Sequence, residues 1–209
     1  MPKQPSDKQL KVCKCVSEKL IYKFTNLQIY KPYLDIILFA ITLLVANWVW
    51  KLMVSGDEFG HGDVTWFGLV VTPFFDAIAA HTARCAYWVV DVFRDTVHLS
   101  DIRIWFDSGN GTSIVWGCTP VKQSFIWLCL IATAIGPWMH KLWFIPAGWV
   151  LIYIINILRI VFISLIIEFH PELFDLMHTY IFKYAFYGIM FLMWLVWTYM
   201  AKIFTEQKS

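Results

Sequence analysis

Charged residues are scarce in this chain. Asp, Glu, Lys and Arg make up 15% of its 209 residues, where soluble domains carry about 25%. With 59% hydrophobic content, a soluble domain would expose large apolar patches and aggregate. No basic stripe with interleaved aromatics is present, which argues against nucleic acid as a partner. There is no His-Glu-x-x-His pair and no repeated Cys-x-x-Cys, so no catalytic metal, zinc ribbon or other cofactor is expected. A cleavable leader is not expected either, because the first thirty residues are Lys-rich and polar. The first spanning helix should then double as the targeting signal.

Five cysteines, at 13, 15, 85, 118 and 129, make an odd set without a disulfide framework. Cys13 and Cys15 lie in a polar tail and read as incidental thiols in a reducing compartment. Cys129 sits among apolar neighbours and Cys85 on an apolar helix face, where packing is the usual role.

What the chain does have is long apolar runs and twelve Trp. A bilayer crossing needs about 20 apolar residues in a helix, and Trp favours the headgroup level. The expected fold is an all-α polytopic membrane protein with four spanning helices, an amphipathic extracytoplasmic helix and a short β-hairpin. Residues 1–33 form a basic cytoplasmic tail, in which Glu18 to Tyr30 suits an interfacial helix, and residues 34–205 form the membrane domain. The spans are expected at Leu34–Val54, Val121–Trp138, Phe144–Ile167 and Tyr180–Phe204. An acidic, Gly-containing loop covers 55–63, and short connections fall at Met139–Trp143 and Glu168–Thr179.

Two segments differ in period. Phe74, Phe75, Ile78, Thr82, Cys85, Val89 and Val92 recur at helical spacing behind Pro73, so residues 74–97 read as a helix lying on the membrane. Ile102, Ile104 and Phe106 alternate with polar or aromatic neighbours before the turn Asp107–Gly111, and Thr112 to Trp116 completes a hairpin. Seven lysines precede the first span and fix the N-terminus in the cytoplasm. Four crossings return the C-terminus, with Lys202 and Lys208, to the same side.

Three reactive groups then reach the outer face. Cys118 precedes a spanning helix, with Thr119 as N-cap and Pro120 as first helical residue. A thiol beside a helix N-terminus sees partial positive charge, which favours the nucleophilic thiolate. His178 stands before the last span. Arg159 lies inside the third apolar run, about 13 Å from its outer end at 1.5 Å per residue, with Asn156 on the same helix face. An intramembrane Arg costs roughly 2.5–3.5 kcal/mol on insertion scales, so it faces a bundle interior. It serves there either in catalysis or as structural glue paired with an acid such as Asp175. A metal assembled from His61, His98, His170 and His178 with Glu172 or Asp175 is a weaker reading, because those residues scatter over several loops. Ser164 as a nucleophile is weaker still, with no base nearby in sequence.

Gly117-Cys118-Thr119, Asn156-Ile157-Leu158-Arg159-Ile160 and His178, followed by a Trp- and Phe-rich final helix, resemble the exosortase/archaeosortase family. The chain is similar to its short bacterial members over roughly residues 30–205. Pro120 departs from the pattern, since the family often has Gly after Cys-Ser or Cys-Thr. The resemblance implies an inner-membrane cysteine transpeptidase, or protease, acting on exported proteins. Their C-terminal sorting signal carries a membrane helix, and the cleaved end passes to a surface acceptor. It assigns Cys118 as nucleophile, Arg159 as oxyanion stabiliser and His178 as general acid and base, with Asn156 and Thr119 in support. The amphipathic segment would gate or dock the substrate helix. The alternative function is a non-catalytic assembly or export subunit whose polar groups only join helices. Transport is a third reading, disfavoured by the few intramembrane polar residues.

Overall fold

The structure, a computed structural model, describes residues 33–56 and 62–206. The basic tail with Cys13, Cys15 and the expected interfacial helix, and the central part of the acidic loop with His61, lie outside the described residues. The chain divides into two compact units, Met1–Ile41 and Thr42–Ser209. Everything that follows about packing and the site concerns the second.

The described chain is mostly helical, with three helical stretches long and apolar enough to cross a membrane. They are α1 (Tyr33–Met53), α4 (Trp138–Phe169) and the stretch Pro171–Phe204. The last begins as a 3₁₀ turn at Pro171–Leu173, passes through a π turn at Leu176–Ile181 and continues as α5 (Phe182–Glu206). The expected loop Glu168–Thr179 is therefore largely helical. The expected fourth span is shorter than a bilayer. Helix α3 covers only Val121–Thr133, about 20 Å at 1.5 Å per residue against a hydrocarbon core of about 30 Å.

Lys141 explains why the expected connection at Met139–Trp143 is not a loop. Those residues are the first turns of α4, and Lys141 is buried. Its Nζ donates to the carbonyls of Ala132 at 2.9 Å and Ala134 at 2.6 Å. Carbonyls at a helix C-terminus have no intrahelical partner and carry partial negative charge, so an ammonium is well placed there. The indole of Trp197 donates to the Ile135 carbonyl at 3.2 Å, covering the next residue of the broken segment. Pro146 lies inside α4, not in its opening turn. Membrane helices tolerate such a proline because neighbouring groups satisfy the freed carbonyl.

Helix α2 (Thr72–Asp91) forms near where the periodicity puts it, with Pro73 in its first turn. Its buried face matches the expected one only in part. Phe75, Ala79, Thr82, Ala83, Ala86 and Val90 point inward, whereas Phe74 and Val92 are exposed, Val92 by 80%. Three alanines let α2 approach Ile160 and Val161 of α4, within one core cluster. Small residues are what close helix contacts in a membrane favour. Trp88, at 74% exposure, is left on the outside. Cys85 is half-buried beside polar groups: Tyr153 of α4 donates to its Sγ at 3.5 Å and meets His81 Nδ1 at 2.7 Å.

The helix ends at Asp91, six residues short of expectation, and Val97 instead opens strand β4. There are two antiparallel three-stranded meanders. In the first, β1 (Val54–Ser55), β2 (Thr65–Trp66) and β3 (Leu69–Val70) are very short. The second contains the expected hairpin, β5 (Arg103–Phe106) with β6 (Gly111–Ser113), and adds β4 (Val97–Ser100) along β5. Val97 pairs with Phe106 and Leu99 with Ile104. Val97, Ile104 and Phe106 are buried in the same core as α2 and α4. At Gly111 a Cβ would come within 2.5 Å of the Ile104 carbonyl, so only glycine fits the pairing.

Candidate active site

The sheet and α1 together fix the turn that carries Cys118. Strand β6 leads through Ile114, which is buried, to a 3₁₀ turn at Trp116–Cys118. Trp116 is wedged into a small core with Trp50, Val54, Val64 and Phe75. Its ring meets that of Phe75 edge-on at 5.6 Å. The Cys118 amide donates to the Val115 carbonyl at 2.8 Å and the Thr119 amide to that of Trp116 at 3.0 Å.

Thr119 does not cap α3. Its hydroxyl donates backward to the Trp116 carbonyl at 2.6 Å, closing the turn on itself. Helix α3 starts at Val121 with Pro120 at the N-cap and no side-chain cap. The helix begins one residue later than expected, so the Thr119 hydroxyl stays with its own turn and accepts from none of the α3 amides. Thr119 instead braces the turn that carries Cys118.

Asn156 provides the second brace. It is fully buried in α4 and its Nδ2 donates to the Cys118 carbonyl at 2.9 Å. The other amide atom, Oδ1, is buried without a hydrogen-bond partner among the described residues.

His178 comes from the π turn ahead of α5. Such turns insert a residue into the helical repeat and recur at functional sites. The ring stacks on Phe174 at 5.2 Å between centroids and 14° between planes. Its Nε2 lies 3.8 Å from the Cys118 Sγ, at the long end of thiol hydrogen bonding.

Arg159 lines the same cavity as Cys118, Thr119 and His178, a space of about 880 Å³. Its Nε is buried without a hydrogen-bond partner, and it forms no ion pair among the described residues. Asp175 lines the cavity too but is not joined to Arg159, so the expected pairing with an outer acid is not made. Glu168, the other nearby acid, lies 3.1 Å from Arg94 Nε, an ion pair off the hydrogen-bonding angle.

The remaining histidines are engaged singly. His98 meets Asp107 at 2.8 Å and His170 meets Glu172 at 3.0 Å. Among the described residues, no three His, Cys, Asp or Glu side chains gather closely enough to hold a metal ion. Ser164 is buried with its hydroxyl unpartnered among the described residues.

Sequence reasoning missed the cavity's lysines, Lys51, Lys122 and Lys183. The available signal was their position, each near the end of an apolar run. Comparison of the chain with family models, curated proteins and solved structures finds no match.

Proposed function

We propose that this chain is a membrane cysteine transpeptidase of the exosortase kind, working at the outer face of a bacterial inner membrane. The observation that carries the reading is the 3.8 Å approach of Cys118 Sγ to His178 Nε2. A nucleophile and a base within or near hydrogen-bond reach are what covalent catalysis needs. That approach occurs in a cavity lined by Arg159, which forms no ion pair among the described residues.

The chemistry follows from the three groups. The Cys118 thiolate attacks the scissile carbonyl, and Arg159 stabilises the oxyanion of the tetrahedral adduct. Collapse of the adduct breaks the C–N bond while His178 gives its proton to the leaving amine, and a thioester remains. His178 then takes the proton of the incoming acceptor, which displaces Cys118 and restores the thiol. Water in place of the acceptor turns transfer into hydrolysis.

Four crossings remain the best topology, with both termini in the cytoplasm. The 13 residues of α3 give about 20 Å, so the bent backbone at 134–136 falls inside a hydrocarbon core of about 30 Å. Non-helical backbone is tolerated at that depth only when protein satisfies it. Lys141 and Trp197 supply those bonds. The substrate, a protein ending in a sorting motif and a membrane helix, enters sideways, with the exposed Phe74, Trp88 and Val92 of α2 as docking ledge. Among the described residues Arg159 has no acid partner, which weighs against the non-catalytic subunit, since glue requires a joint.

The test is processing in cells. Cys118→Ala should leave the substrate uncleaved in the membrane while the variant accumulates normally. Wild-type processing by Cys118→Ala refutes the reading.

A further inference from the structure

Strand β6 (Gly111–Ser113) pairs with β5 along one side. Among the described residues no strand lies along its other side, so β6 is an edge of its sheet. Edge strands carry a row of main-chain N–H and C=O groups without ladder partners, and an extended peptide can take these up as an added strand. Which groups they are follows from the register. The Ile114 amide donates to the Ile102 carbonyl at 2.8 Å, and the Phe106 amide donates to the Asn110 carbonyl at 2.9 Å. Hydrogen-bonded pairs recur at every second residue of an antiparallel ladder, so the pair between those two is Thr112 with Ile104. Gly111 and Ser113 are the intervening residues, and their N–H and C=O groups point away from β5.

The same strand borders the candidate site. Gly111, Thr112 and Ser113 line the cavity that holds Cys118, Arg159 and His178. Ser113 is exposed and Gly111 half-buried, so the edge is not sealed in the core. It also leads straight into the reactive turn. The next residue of the outward set is Val115, and its carbonyl accepts from the Cys118 amide at 2.8 Å. A cavity of about 880 Å³ has room for several residues of extended peptide. Attack on a peptide carbonyl needs the chain held in one register against the thiol, and main-chain pairing is a direct way to fix register.

We infer that β6 is the substrate-docking strand: the extended segment holding the scissile bond adds to the sheet beside it, hydrogen-bonded to the main chain of Gly111 and Ser113. The inference rests on the transpeptidase reading for the identity of the peptide. Pairing of this kind draws affinity from the main chain and leaves selectivity to alternate side chains of the bound segment.

The test is amide hydrogen exchange on the full chain in detergent, with the other four cysteines replaced. The probe is a hexapeptide of alternating Thr and Val that carries a pyridyl disulfide at one end. The Cys118 thiolate displaces pyridinethiolate from it, so one S–S bond forms as another breaks and the peptide stays tethered in the cavity. Exchange at Gly111 and Ser113 should be fast before coupling and about tenfold slower after it, the scale of one main-chain hydrogen bond. Thr112 and Ile114, already bonded to β5, should not change. N-methylation of one alternate set of probe residues should abolish the protection, and N-methylation of the other set should not, because only every second residue of an added strand bonds to β6.

Protection of Gly111 and Ser113 before coupling would mean that the edge is filled by the protein itself or by a second copy, and overturns the inference. So does a failure to couple, unchanged exchange after coupling, equal slowing at Thr112 and Ile114, or the same result from both N-methylated probes. None of these measurements reads cleavage. Wild-type processing by Cys118→Ala removes the transpeptidase reading and leaves a paired edge standing, whereas Cys118-dependent processing with an unpaired edge removes this inference alone.

Discussion

Asn156 Nδ2 donates a 2.9 Å hydrogen bond to the carbonyl of Cys118, tying the turn that carries the thiol to the helix that carries Arg159. The two residues are 38 apart in sequence. Because Asn156 and Arg159 stand three residues apart on α4, the same short stretch of helix braces the Cys118 turn and brings Arg159 to the cavity.

Removing that brace has a defined cost. Asn156→Leu strands a buried carbonyl, which typically costs about 1–3 kcal/mol, and frees the Cys118 turn. The melting temperature in detergent should fall, and processing should fall further than the loss of folded protein explains. Asn156→Gln, which keeps a donor, should recover part of the activity. Equal loss of folded protein and of processing would reduce Asn156 to a packing residue.

Arg159 distinguishes catalysis from helix joining. Arg159→Gln should lower processing about 10²–10³-fold, the range for loss of an oxyanion donor, with little change in melting temperature because no ion pair is broken. Measured unfolding of wild-type and variant protein decides it. A large drop in stability with residual normal turnover would favour the joining role.

Lys141 should matter for folding and not for chemistry. Lys141→Met leaves the Ala132 and Ala134 carbonyls unsatisfied at the end of α3. Hydrogen bonds to a charged donor contribute about 1.5–3 kcal/mol each, so the melting temperature should drop clearly. Activity per folded molecule should stay near wild type. A fully stable Lys141→Met protein would show that the break after α3 needs no such support.

The rotated face of α2 can be checked by size. Ala83 is fully buried against the core shared with α4, so Ala83→Leu should destabilise by about 1–3 kcal/mol through overpacking. Trp88→Leu, on the exposed side, should be nearly neutral. The opposite ranking in thermal unfolding would return the buried face to Phe74 and Val92.

The site was more legible in the sequence than the fold around it. Cys118 ahead of an apolar run, Arg159 within one and His178 before another stand out because polar groups there are expensive and rare. Their convergence in a single cavity could be expected from alternating helix direction. The face of α2 was misjudged because periodicity gives most weight to large apolar residues. Contact with α4 instead selects the alanines, which allow backbones to come close. Strand β4 was missed because Val97–Ser100 is too short to show a period, and it exists only by pairing with β5. Lys141 looked like a loop residue because a charge normally marks a helix end. It does mark one, but the end belongs to α3 and the lysine to α4. Thr119 has the identity of a cap, and only the geometry of the preceding turn reveals that its hydroxyl turns back onto the Trp116 carbonyl.

The account stands or falls on whether the Cys118 thiol faces outward beside His178. With the other four cysteines replaced, a membrane-impermeant maleimide should label Cys118 in right-side-out cells and not in inverted vesicles. His178→Gln should slow that labelling about tenfold, because the imidazole no longer takes the thiol proton. Labelling only from the cytoplasmic face, or at a rate indifferent to His178, would contradict it.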